Sequence, residues 1–294
     1  MSDGGRTVPD AGGGTGTPVL SRTLDAVSRR LLRGAVANPR SRWPVVLMYH
    51  AVDPPRRPSG WPWAITADRF ASHLDVLMGM GIRTLRLDGA EGAGGAGPSV
   101  VITFDDGYAD NHEWALPALA ARGQTATWFI PSATVGKGAD WLDGGAKGRP
   151  LMDRHQLDEL LAAGMELGGH GRSHRPLTGL APEEVEQEVR GCRDDLEDLF
   201  GIAVASFAYP YGRYDVTTCA AASSAGYRYA CTTRPGWWGS ETDLLQVRRV
   251  AVFADDTPAR LARKLCFADN DVRWRTIARY YTSRIQARMI GTDR

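Results

Sequence analysis

Strand-length apolar runs alternate with helix-length amphipathic segments along most of this 294-residue chain, and that alternation limits its fold more than any other feature. "PVVLMYH" (44–50) has the continuous apolar character of a strand buried on both faces. "TADRFASHLDVLMGMG" (66–81) has helical spacing, with Thr66 placed as N-cap and Gly81 just past the end. The pattern continues with strands at "IRTLRL" (82–87), 100–104, "TATWFIP" (125–131), "MELGG" (165–169), "ASFAYP" and "YRYACTT". Helices are expected near 111–122, from Asp153 to Gly164, over 181–201 and near 215–225. Strands separated by helices must pair in parallel, because a tight turn cannot return the chain. Seven or eight such strands favour a closed or nearly closed barrel over an open sheet, and barrels carry their functional residues at the C-terminal ends of strands.

The flanks read differently. Residues 1–18 are rich in Gly, Pro and Thr and are expected to be disordered; 20–39 read as a helix on the domain's outside, ended by Gly34 and Pro39. In 269–294 a basic segment carries Trp274, Ile277, Tyr281, Ile285 and Met289 at helical spacing. That stripe suits a helix docked on the barrel or, alternatively, peripheral association with an anionic membrane surface. The expected organisation is 1–40 (disordered stretch and short helix), 41–268 (barrel) and 269–294 (basic amphipathic helix). A formal net charge of +1 gives no electrostatic case for nucleic acid. The four cysteines (Cys192, Cys219, Cys231 and Cys266) form no Cys-x-x-Cys pair and read as reduced core thiols. No run approaches a membrane span, and the start lacks a signal-peptide pattern, so the expected location is cytoplasmic.

The chemistry begins where Val100, Val101, Ile102 and Phe104 run straight into Asp105 and Asp106, with Gly107 turning the chain. Adjacent carboxylates repel and lose solvation when they leave water. Alone, Asp-Asp-Gly reads as a turn; a nearby cation would make it a site. Two of the six histidines, His170 and His174, lie in "HGRSH" after the 165–169 strand. Two imidazoles and one carboxylate form a common catalytic metal set with coordination positions left open. Asp105, His50 and His170 all fall at predicted strand ends.

"TFDDGY", then "ELGGHGRSHRPL", then "FAYPYG", in order over about residues 44–255, resemble the polysaccharide deacetylase family, also called the NodB homology domain or carbohydrate esterase family four. The resemblance implies an α/β fold, a distorted (β/α)7 TIM-like barrel, here with added terminal helices. It implies a hydrolase that removes acetyl groups from N-acetylated sugars with a divalent metal, usually zinc (Zn2+). It assigns Asp105 as general base and Asp106, His170 and His174 as metal ligands. It places Pro210 and Tyr211 at the substrate, with the Tyr211 backbone amide in the oxyanion site. Gly171 stands where the family often has Ser or Thr, removing one hydrogen bond that shapes the loop. Ala208 stands where the family has the arginine that orients the base; Arg234, Arg248 and Arg249 are candidate replacements. The late Leu-x-His of the family is absent, since no His follows His174. His50, ending the first strand, instead resembles the acid of the circularly permuted branch typified by poly-N-acetylglucosamine deacetylases. Its alternative is a structural strand-end histidine.

Trp237 and Trp238 are candidates for a sugar platform, or for a cover on the barrel mouth. Trp61 and Trp63 resemble the loop after the permuted His and are expected to line the cleft; Tyr108 is either packing or contact. His73, His112 and His155 fall on predicted helices and are expected at the surface. The expected function is metal-dependent N-deacetylation of an acetylated amino sugar, with carbohydrate O-acetyl esterase or an inactive sugar-binding barrel as alternatives. The missing signal pattern favours a glycan precursor over a secreted polymer. Oligomeric state is not legible.

Overall fold

The computed structural model describes residues 18–38, 44–91, 97–142, 146–238, 243–279 and 282. After helix α1 (Pro18–Ala37) come strands β1 (Val45–Tyr49), β2 (Ala51–Asp53) and β3 (Ala64–Thr66), helix α2 (Ala67–Gly79), β4 (Arg83–Leu85) and β5 (Ser99–Phe104). Helix α3 (Leu116–Ala120), β6 (Thr127–Ile130), α4 (Arg154–Ala162), β7 (Glu166–Gly169), α5 (Pro182–Phe200) and β8 (Ser206–Ala208) follow. The fold ends with α6 (Val216–Ala225), β9 (Tyr229–Cys231), β10 (Val250–Ala251) and α7 (Pro258–Phe267).

The main sheet runs β10-β1-β5-β6-β7-β8-β9, with β4 beside the start of β5, and its named pairings are parallel. β2 and β3 form a separate parallel pair. Side chains alternate across the strands. Val45, Leu47, Tyr49, Ile102, Phe104 and Trp128 pack with helix residues such as Leu74, Leu160 and Leu265 in the main core. Val46, Val101, Phe129, Ala208, Cys231 and Val247 form a second cluster that fills the barrel interior. The curled sheet almost closes: Cys231 bridges to Val247, whose N–H donates to Ala230 O (2.8 Å), and Leu47 and Met48 pair with Val250 and Ala251. The first strand therefore lies beside the last.

Two local features depart from expectation. The helix expected over 111–122 opens as a π-helical turn, Asn111–Ala115, before α3. Pro117 contributes no N–H to that junction, which lowers the cost of irregular hydrogen bonding there. His73, expected at the surface, is fully buried under α2: it lies 3.1 Å from the Tyr49 hydroxyl through Nδ1 and donates Nε2–H to Asp256 O (2.8 Å). His155 is largely exposed and His112 partly so.

α1 packs along α7, with Leu32 buried and Arg263 donating to Ser28 Oγ (2.7 Å). Residues 274–279 are helical, and Trp274 lies under the Arg263 guanidinium. Residues 1–17 and Tyr281, Ile285 and Met289 of the basic stripe lie outside the described residues. Among the described residues no helix is long and apolar enough to cross a membrane.

Candidate active site

β5 delivers the aspartates. The Asp105 N–H donates to Tyr49 O (3.0 Å), continuing the ladder one residue past the strand. Asp106 (φ 72°) and Gly107 (φ 71°) then turn left-handed. The two carboxylates consequently leave the strand for different partners.

Asp105 meets Arg249. Nη1 donates to Oδ1 (2.6 Å) and Nη2 to Oδ2 (2.8 Å), and both residues are buried. Arg249 also donates to Thr103 Oγ1 (3.1 Å) and Thr232 O (3.0 Å) and lies over the Phe129 ring. Burial pushes the Asp105 carboxyl upward, but the Arg249 charge and hydrogen bonds outweigh it and hold the pKa below the usual range. Of the three candidates for the absent motif arginine, Arg249 alone makes this contact; the Arg234 guanidinium lies over Tyr214.

Asp106 faces the histidines. Its Oδ1 lies 3.2 Å from His170 Nε2 and 3.0 Å from His174 Nε2, and its Oδ2 accepts from the Tyr108 hydroxyl (2.6 Å). The three prospective ligand atoms lie within 4.8 Å of one another. His170 donates Nδ1–H to Ala208 O (2.7 Å), so neutral His170 aims a lone pair at the Asp106 oxygen. Lone pairs facing a carboxylate demand a positive charge between them, either a proton or a metal cation. Accordingly burial raises the Asp106 pKa, but His174 and the imidazole hydrogen bonds overcome this and hold it well below the usual value. Burial lowers the His170 pKa, but Asp106 and Asp105 bring it above its ordinary value. The donor set fits a divalent ion.

The loop holding His174 is braced from α5: Glu188 accepts from the Ser173 N–H (2.9 Å) and hydroxyl (2.5 Å). Gly171 (φ 74°) sits where a Cβ would come 3.3 Å from the same Glu188 carboxylate, so Ser173 supplies a loop-shaping hydrogen bond from two positions later. His174 (φ 59°) and Tyr211 (φ 60°), like Asp106, occupy the left-handed region, which costs a residue with a Cβ about 1–3 kcal/mol. Three such residues in one site indicate backbone held for geometry.

A cavity of about 340 Å3 opens over these groups, lined by His50, Asp105, Asp106, His170, His174 and Tyr211 among others. His50, just past β1, packs at a tilt against Trp63 (4.6 Å); burial holds its pKa below the usual value, although Asp106 and Asp105 pull it up. Trp61 and Trp63 line the cavity as expected, and Tyr108 is buried beneath, bonded to Asp106. Pro210 is buried in the turn that presents Tyr211.

Trp237 and Trp238 do not line the cavity. Trp238 is buried edge-on against Tyr229, the first residue of β9, toward the strand end opposite Asp105; Trp237 packs against the main core. Both precede Val247, and Trp238 lies at the start of β9 and not at the cavity mouth. Trp141 takes the aromatic position instead, stacked on His174 at 4.3 Å. Its loop, "GKGADWLDGGAKG", has no periodicity or motif to mark it. Asn270 also lines the cavity, without any motif to announce it.

Comparison with known proteins gives a consistent result. Residues 93–230 match the family model described as Polysaccharide deacetylase. YxkH of Bacillus subtilis, provisionally named as a polysaccharide deacetylase, is 28% identical over 212 residues, 70% of each chain. IcaB from Ammonifex degensii superposes with a TM-score of 0.61 at 27% identity, covering 74% of this chain and 94% of that one. The Streptococcus pyogenes deacetylase PplD, solved with acetate, shares the fold with a TM-score of 0.65 at 23% identity, covering 75% and 97%.

Proposed function

With residues 93–230 carrying a polysaccharide deacetylase domain, we propose that this protein hydrolyses the N-acetyl group of an acetylated amino sugar, using a divalent metal, Zn2+ being the first choice for the donor set. The observation that carries the reading is the pairing of two separately held aspartates. Asp106 is turned toward His170 and His174, while Asp105 is kept apart by Arg249. A sugar-binding module has no use for that division of labour, and Arg249 removes the best argument for an inactive barrel.

Asp106, His170 and His174 would hold the ion, which supplies Lewis-acid polarisation of the acetyl carbonyl and acidifies water toward a pKa of ~7. Asp105, kept ionised by Arg249, accepts the proton of the attacking water. The Tyr211 backbone N–H, at the cavity wall, serves as donor to the developing oxyanion. His50 donates a proton to the leaving amine, which otherwise departs poorly. The cavity is large enough for a sugar residue and walled by Trp61, Trp63 and Trp141, apolar faces suited to a pyranose ring.

The test is acetate release from a panel of N- and O-acetylated sugars, before and after chelation and with Zn2+ restored. Release that is lost with the metal and regained with it is the expected result. Stoichiometric metal with no acetate from any sugar would overturn the reading.

A further inference from the structure

β10 pairs with β1 along one edge, and on its other edge no strand lies beside Ala251 among the described residues. Both polar groups of one strand residue point to the same side. Here Val252 N–H bonds Met48 O, so Ala251 turns its N–H and C=O to the open edge. Two side chains from the segment after β10 replace the absent strand. Lys264 Nζ donates to Ala251 O (2.6 Å), and Asn270 Oδ1 accepts from Ala251 N–H (2.7 Å).

The second contact fixes more than the strand edge. An N–H requires an acceptor, so the Asn270 oxygen faces Ala251 and its Nδ2 faces away. Nδ2 has no hydrogen-bond partner among the described residues, and Asn270 is half-buried on the cavity wall. Met48, Trp63, Ala251 and Phe253 line the same cavity with apolar groups, and Trp63 touches both Phe253 and His50. An oriented amide donor on a cavity wall selects for an acceptor on the ligand.

We infer that Asn270 is a specificity-determining residue whose Nδ2 donates to a hydroxyl or ether oxygen of the sugar that bears the acetyl group. The inference rests on the deacetylase reading, in which the sugar amine departs on the His50 side. Asn270 acts on binding of the sugar and takes no part in proton transfer.

Asn270→Asp separates the two duties, because the carboxylate still accepts from Ala251 but cannot donate. The variant and the parent are assayed on an N-acetylated amino-sugar oligomer and on 4-nitrophenyl acetate, which has no sugar. The expected result is a fall of about tenfold in kcat/KM on the sugar, carried by KM, with the aryl ester rate and the Tm unchanged. Asn270→Ala, which loses cap and donor together, should lower Tm as well. Parental kcat/KM on the sugar for Asn270→Asp, or equal losses on both substrates, would confine Asn270 to capping the strand and overturn the inference. If the parent cleaves only the aryl ester, the deacetylase reading itself fails and this inference goes with it.

Discussion

The guanidinium of Arg249 grips the carboxylate of Asp105 at both oxygens, at 2.6 and 2.8 Å, with both residues buried and Asp105 at the cavity wall. The two lie on strand segments that are one β1 strand apart in the sheet and 144 residues apart in the chain. The contact keeps a buried carboxylate ionised and fixes its plane. Arg249→Lys keeps the charge but replaces the planar fork with a point donor. The expected outcome is a folded protein with turnover lowered at least tenfold, and Arg249→Met should destabilise by about 3–5 kcal/mol through the uncompensated carboxylate. Acetate-release kinetics and urea denaturation read both, and parental turnover in Arg249→Lys would show that the contact has no part in the reaction. Asp105→Asn should retain metal while losing roughly 10²–10⁴ in rate, since the amide cannot take a proton.

Replacing Asp106, His170 or His174 by Ala should each strip the bound divalent ion and abolish acetate release. The fold should persist, because the barrel core lies beneath the site and does not include these side chains. Metal analysis of the purified variants, with circular dichroism beside it, decides the matter. Full metal occupancy in His174→Ala would remove that residue from the ligand set.

His50→Ala should impair hydrolysis of an N-acetyl sugar far more than that of 4-nitrophenyl acetate. The amine needs a proton to leave, whereas the nitrophenolate does not. Equal losses on the two substrates would assign His50 to packing against Trp63 instead.

His73 should make stability fall in acid. Burial holds its pKa down at about 4, against about 6.5 in the unfolded chain. A depressed folded pKa gives stability that is complete above pH 6.5 and lost as the pH falls toward 4, by roughly 3 kcal/mol. Urea midpoints from pH 7.5 to 4.5 measure this, and His73→Gln, which cannot charge, should flatten the dependence. Parallel curves for the two proteins would mean that other groups carry the acid sensitivity.

The residues that can be read from the sequence are those whose partners are close in the chain. Asp105-Asp106-Gly107 ends a six-residue buried strand, and His170 and His174 share one short loop, so local backbone geometry nearly dictates where they point. The order of most strands and helices likewise follows from periodicity, because burial on one or both faces leaves a 2- or 3.6-residue signature. The three-residue strands β2 and β3 are too short to leave one, and α7 is not among the expected helices. Tertiary structure decided what periodicity cannot encode. Three arginines were equivalent candidates until sheet register brought Arg249, on the last strand segment, under Asp105. His73 has the spacing of an exposed helical residue, yet α2 packs that face against Tyr49 and Asp256. The Trp237–Trp238 pair reads like a platform but lies off the cavity, while Trp141 comes from an unpatterned loop to stack on His174. Asn270 caps a strand edge whose openness exists only once the barrel has curled and stopped short of closing. Each of these outcomes depends on which distant strand lies alongside, a choice made by the packing of the whole sheet against its helices and not by any neighbour in sequence.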